Sequence, residues 1–253
     1  MTLKKKISLM LGILMISIFT EAMTIIPNDT MQADKEVFVY ALSGLKLRYE
    51  PSFHADVITI LEYGEELAIL EALSEQDAKL SNDWTKGKWV EVSYLGGIKG
   101  YVYDGYLSDL PLPEVDFSTS AITSLLERYA VQKLGYIGTD TTNFHTEMDE
   151  NFHVRYTHLL SGNSFMRYDA FWDSEKAQLE LTGVRIMDAY HLVRALLTAS
   201  GNWDNYSKEI IFKEDVLGDI YEIKTRYSSG IKIRKLSNGN VRITFNHSQY
   251  LGC

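Results

Sequence analysis

Residues 44–70, GLKLRYEPSFHADVITILEYGEELAIL, decide how the first half of the chain folds. Leu45 and Leu47 alternate with Lys46 and Arg48, the period of a strand with one buried face. Glu50-Pro51-Ser52 ends that strand, because proline has no N–H to give to a ladder. Val57–Leu61 is a compact apolar strand, Tyr63-Gly64-Glu65 turns it, and Leu67–Leu70 resumes. Upstream, Val37, Val39 and Ala41 alternate with Phe38 and Tyr40. Downstream, after a long polar loop over 72–88, Val90, Val92 and Tyr94 alternate with Trp89, Glu91 and Ser93. Gly96-Gly97 supplies the positive φ angles of a hairpin turn, Gly100–Tyr103 returns, and Asp104-Gly105 turns again before Tyr106-Leu107. Short strands separated by such turns predict a small β-barrel over residues 36–110.

Leu45, Leu47, Arg48, Pro51, Gly64, Trp89, Val92, Gly100, Tyr101, Val102, Tyr106 and Leu107 stand in the order of a known pattern. That ordered set resembles the bacterial SH3-like domain; the loop over 72–88 departs from it. The resemblance implies a non-catalytic module found in secreted or periplasmic proteins, some of which bind peptidoglycan peptides. A groove of that kind needs aromatic side chains at the barrel rim, which give large rigid contact area with a polar end. Trp84, Tyr101, Tyr103 and Tyr106 are the candidates, with His54 lining the groove. Trp84 leads, because no strand phase commits it to a core. Trp89 and one of Tyr101 and Tyr103 are expected in packing.

Pro111-Leu112-Pro113 is a stiff connector, and the pattern changes after it. Ile122, Leu125, Leu126 and Tyr129 follow helical spacing, and Gly135 stops that helix. Residues 139–151 read as a polar loop. Alternating runs follow at 152–159, 164–172 and 177–184. A second helix carries Ile186, Ala189, Leu192, Val193, Leu196 and Leu197 up to Gly201. A meander closes the chain, with Asn238-Gly239 as its clearest hairpin turn. Residues 114–253 therefore read as an antiparallel α+β domain, and they resemble no family. The fold class expected is a small SH3-like β-barrel followed by that domain, each with its own apolar alternation and expected to fold separately.

Lys4-Lys5-Lys6, the apolar run Ile7–Phe19 and Thr20-Glu21-Ala22 have the form of a secretory signal over residues 1–22. The run is short of the roughly 20 residues that span a bilayer, so no stable membrane insertion is expected after processing. The whole chain has net charge −9, and without three lysines and one glutamate of the leader it has −11. So acidic a chain is a poor partner for nucleic acid, whose phosphates demand clustered Lys and Arg. The one cysteine, Cys253, cannot form an internal disulfide, although pairing between chains stays open.

His145, Glu147, Asp149 and His153 form the densest group of metal-type ligands, but their spacing matches no ligand motif. A solvated loop is the better reading, and neither metal nor cofactor is expected. His158 has no acid paired with it in sequence, and His191, three residues from Asp188, reads as a satisfied histidine of the helix. Cys253 has nothing downstream to serve as its base, and no Gly-x-Ser-x-Gly elbow exists. No catalytic residue is assigned. The expectation is a secreted or periplasmic, non-enzymatic protein that binds peptidoglycan fragments or an envelope protein. Two alternatives stand beside it: a cell-wall hydrolase using carboxylates or a metal in 114–253, and an interaction or inhibitor module.

Overall fold

The computed structural model describes residues 31, 33–73, 87–113, 122–144, 153–171, 174–204, 210–216, 219–225 and 230–248. The leader, Trp84, His145, Glu147, Asp149 and Cys253 lie outside the described residues.

Seven strands form the first sheet: β1 (Glu36–Val39), β2 (Leu45–Arg48), β3 (Val57–Leu61), β4 (Glu66–Ala72), β5 (Trp89–Tyr94), β6 (Ile98–Tyr103) and β7 (Leu107–Ser108). Their spatial order is β3-β2-β6-β5-β4-β1-β7, with a single 3-10 turn over Asp104–Tyr106 before the last strand. The sheet curls around Val37, Val39, Leu47, Leu61, Ile69, Val90, Val92, Val102 and Leu107, all without measurable exposure. This is the alternation read from the sequence, and the curled sheet fits an SH3-like barrel. Gly100 is needed where β2 crosses β6: a Cβ there would meet the Arg48 carbonyl oxygen at 2.7 Å and Leu47 Cδ1 at 2.9 Å. The β5–β6 hairpin turns one residue earlier than Gly96-Gly97. Leu95 (φ 47°) and Gly96 (φ 69°) take the left-handed conformation, and Gly97 donates its N–H to the Tyr94 carbonyl.

The second sheet has eight antiparallel strands in the order β12-β13-β14-β15-β11-β10-β9-β8. They are β8 (Tyr136–Phe144), β9 (His153–Leu160), β10 (Phe165–Ala170), β11 (Ser174–Leu181), β12 (Ile210–Glu214), β13 (Ile220–Thr225), β14 (Ile231–Lys235) and β15 (Val241–Ser248). Two helices, α1 (Ile122–Lys133) and α2 (Ile186–Ala199), pack on one face. One register row shows how that face is built: His158, Met166, Leu179, Ile243, Ile233, Ile223 and Phe212 are successive partners across seven strands, β9 to β12. The five central residues of the row are at most 3% exposed, and they form one core with Leu125, Leu126, Leu192 and Leu196 of the helices.

Residues 139–144 belong to a strand, which corrects the expected loop. Thr139 to Phe144 pair in unbroken register with His158 to His153. Polar and β-branched side chains suit this position, because β8 is an edge strand with little to bury. No helix among the described residues is long and apolar enough to cross a membrane.

Candidate functional site

The outer face of the first sheet carries an aromatic cluster. Val90, Val92 and Val102 point inward, so their neighbours Trp89, Glu91, Tyr101 and Tyr103 point outward, Trp89 opposite Tyr103 and Glu91 opposite Tyr101. Outward residues are normally wet, yet Trp89 and Tyr103 are each 2% exposed. Phe53 covers them from the β2–β3 loop, its ring 4.8 Å from Trp89 and 5.4 Å from Tyr103. That loop is braced by Arg48 Nη1, which donates to the Ala55 carbonyl at 2.5 Å, and by the Tyr49 N–H, which donates to the Asp56 carbonyl at 3.1 Å. Tyr101 is half-buried opposite Arg48, Tyr49 follows Arg48 in the chain and is 65% exposed, and His54 is exposed at the loop tip.

The expected site residues thus divide by placement. Tyr101, Tyr106 and His54 reach the surface; Tyr103 is buried and acts on any ligand only through its neighbours; Trp84 lies outside the described residues. Tyr49 and Phe53 went unnoticed in the sequence. The signal was two aromatics two residues either side of Pro51, on a loop that a barrel must place at its rim.

The belt continues past the barrel. Tyr103 meets Tyr106 at 6.2 Å, Tyr106 meets His191 of α2 at 5.7 Å, and Tyr190 meets Phe212 at 5.4 Å. His191 is 1% exposed, and its Nε2–H donates to the Gly105 carbonyl. Beside it, the Arg185 guanidinium joins the two sheets. It donates to both oxygens of Asp188, through Nη2 at 2.8 Å and Nε at 3.1 Å, and to Asp104 Oδ2 at 3.1 Å. It donates also to the carbonyls of Leu107 at 2.7 Å and Asp104 at 3.3 Å. The other Asp104 oxygen accepts the Lys88 N–H at 2.6 Å. Gly87 permits that approach, since a Cβ there would stand 2.5 Å from Asp104 Oδ1. Asp188 also accepts the Arg185 N–H at 3.1 Å, which closes the first turn of α2.

The electrostatics follow from burial. Water is displaced from the cluster, and this pushes the Asp104 and Asp188 carboxyls above the usual range, against the pull of Arg185. For Arg185, burial opposes the charge, but Asp188 outweighs it and holds the guanidinium protonated. The polar capacity of the three side chains is used within the cluster, which is the arrangement of a structural joint. The connector is held too: the Pro111 carbonyl accepts from Tyr40 Oη and from Tyr129 Oη, each at 2.9 Å. Burial raises both phenols beyond their ordinary range.

His153 and His158 have partners that sequence spacing hid. His158 bridges Glu127 of α1 and Thr139 of β8 at 2.7 Å each. His153 bonds Asp169 at 3.1 Å and stacks on Phe171 at 4.2 Å. Among the described residues, no three His, Cys, Asp or Glu side chains are placed to hold a metal ion. No curated protein and no solved structure matches the chain. Residues 43–108 match the family model of the bacterial SH3 domain, the family that the ordered residues of the barrel resemble.

Proposed function

We propose that the protein is exported and binds cell-envelope material, peptidoglycan fragments or an envelope protein, without cleaving it. On this reading, residues 1–22 are a removed leader, residues 36–110 are the binding barrel, and residues 114–253 are an α+β domain. The protein works in the periplasm or outside the cell. The observation that carries the reading is the layered aromatic rim: exposed Tyr49 and half-buried Tyr101 stand beside a loop that Phe53 anchors on buried Trp89 and Tyr103. A rigid underlayer lets exposed rings bind with little loss of side-chain freedom. Trp84 is the proposed further anchor from the loop that departs from the family pattern.

The test is retention of the mature protein on purified sacculi, with soluble products followed. Wild type is retained, and Tyr49→Ala/Tyr101→Ala and Trp84→Ala are each weakened roughly thirtyfold, the loss that follows truncation of an anchor worth about 2 kcal/mol. Absence of retention leaves a protein partner. Released muropeptides overturn the non-enzymatic reading and direct attention to the carboxylates of 114–253.

A further inference from the structure

The face of the second sheet opposite the helices is basic, although the chain is acidic. Register places Arg155, Arg167, Lys176, Lys213, Lys224, Lys232, Arg234 and Arg242 on it, with Asp140, Asp169, Glu180 and Glu222. Among the described residues, eight cations against four carboxylates leave an excess of four positive charges, in a chain whose net charge is −9.

The charges are also layered. Asp169, Glu180 and Glu222 are 2%, 5% and 4% exposed, so they lie at the floor of the face. The cations stand over them: Lys213 and Lys232 at 2.8 and 3.1 Å from Glu222, Arg242 at 2.7 Å from Glu180, and Arg155 at 2.5 Å from Asp169. Their side chains remain exposed, 55% at Arg234, 43% at Lys232 and 40% at Lys213. Arg167, Lys176 and Lys224 have no ion-pair partner among the described residues. The charge of these three is therefore neutralised from above, and the outward field over the central strands is that of the cations; Asp140 is exposed on the edge strand β8, at the end of the face.

We propose that this face binds a linear, non-nucleic polyanion, a polyol-phosphate chain of the kind a cell envelope carries. The shape of the patch argues for a chain. Lys224 and Lys232 are register partners, and the same row continues through Thr244 and Gln178 to Arg167, across five adjacent strands. At about 4.8 Å per strand the row runs about 19 Å, too long for a single phosphate. Lysine and arginine suit phosphate oxygens; between them Gln178 Nε2 donates to the buried Thr244 hydroxyl at 3.5 Å, so the middle of the row is polar and presents the Gln178 amide rather than the hydroxyl. A protein partner would need an apolar centre to dock against, and the centre here is Lys232, Thr244 and Gln178. Single-stranded nucleic acid would need rings free to stack; no aromatic side chain stands on this row, and Phe165 on the same face has the Arg167 guanidinium over its ring at 5.4 Å. The polymer's source rests on the export reading; its binding does not.

The experiment titrates the full mature chain with fluorescent poly(glycerol phosphate) from about 50 to 200 mM salt. Affinity falls roughly fiftyfold over that range, as expected when about four phosphates are neutralised. K176E/K224E, which breaks no ion pair of the face, weakens binding by at least about tenfold with an unchanged melting temperature. The neutral pair K176Q/K224Q, which removes two charges rather than reversing them, reads a smaller loss in the same direction if charge reversal unfolds the protein. No wild-type binding at low salt, equal binding by a folded double variant, or tighter binding of a single-stranded oligonucleotide of equal charge overturns the proposal. Polymer-stripped sacculi separate it from the barrel reading: their retention depends on Tyr49 and Tyr101, and not on Lys176 or Lys224.

Discussion

The two sheets are made of the same unit, an antiparallel strand with one buried side, and they use the other side in opposite ways. The first sheet curls, so its inner face needs no helix; its outer face stays partly apolar and is sealed by its own Phe53. The second sheet gives one face to both helices and lines the other with ion pairs. Strand alternation therefore specifies that a face is buried but not what buries it. Net charge is equally blind to place: an acidic total coexists with a basic sheet face, so exclusion of phosphate partners from the sum of charges holds only for a chain whose charges are mixed.

The largest expected effect breaks the joint between the sheets. Arg185→Ala strands Asp104 and Asp188 in a buried site without their cation, which costs about 3–5 kcal/mol. Thermal unfolding of the full chain reads this as a large fall in melting temperature. Cutting the chain between the sheets is milder, since water then reaches both carboxylates; isolated residues 34–112 keep a cooperative transition. A melting temperature unmoved by Arg185→Ala means the cluster is already hydrated. A non-cooperative isolated barrel means the two cores do not stand apart.

Second in size is Gly100→Ala, which sharpens the contrast between a curled sheet and an open one. Only the curled sheet brings strand backbones this close, and the added methyl drives against the Arg48 carbonyl. Overpacking of this kind costs about 1–3 kcal/mol. Denaturant unfolding followed by hydrogen exchange reads the loss at β2 and β6, while β13 to β15 keep their protection. Equal loss in both sheets would show that the barrel has no stability of its own.

The barrel was legible because short strands, Pro51, Gly64 and Gly100 each mark a place that local sterics require. Both helices were legible for the same kind of reason, with Gly135 and Gly201 as stops. β8 was not, because an edge strand of Thr, Asp and Asn has the composition of a loop and is defined only by its partner β9. The rim was half legible. Tyr101 and Tyr106 stood in the pattern, but Tyr103 belongs beneath Phe53, and that cover comes from a loop whose path is set by Arg48 and Ala55. The Arg185 joint was invisible: Asp104 and Arg185 are 81 residues apart in sequence. The basic face was hidden similarly, since its cations sit singly on separate strands and meet only through register.

The smallest effect is a pH dependence confined to the second sheet. Burial opposes ionisation of Glu222, but hydrogen bonds from Lys213 and Lys232 outweigh it and hold the carboxyl below its ordinary value of 4.5. Glu180 is held low against burial by Asn240 and Arg242. A carboxyl depressed in the folded state binds protons more readily when the chain unfolds. Its contribution to stability is complete above 4.5 and is lost as pH falls through the folded value. The wild-type melting temperature should therefore drop between pH 5 and pH 3 more steeply than that of Glu222→Gln, which has no proton to take up there. The difference is modest, because Lys213 and Lys232 are 40% and 43% exposed and water screens them. Hydrogen exchange in the same window should loosen β13 and β14 before β5 and β6. Parallel acid limbs in wild type and variant would show that Glu222 is paired no better than a surface carboxylate. The layering of charge on that face, and with it the outward field of its cations, would then fail.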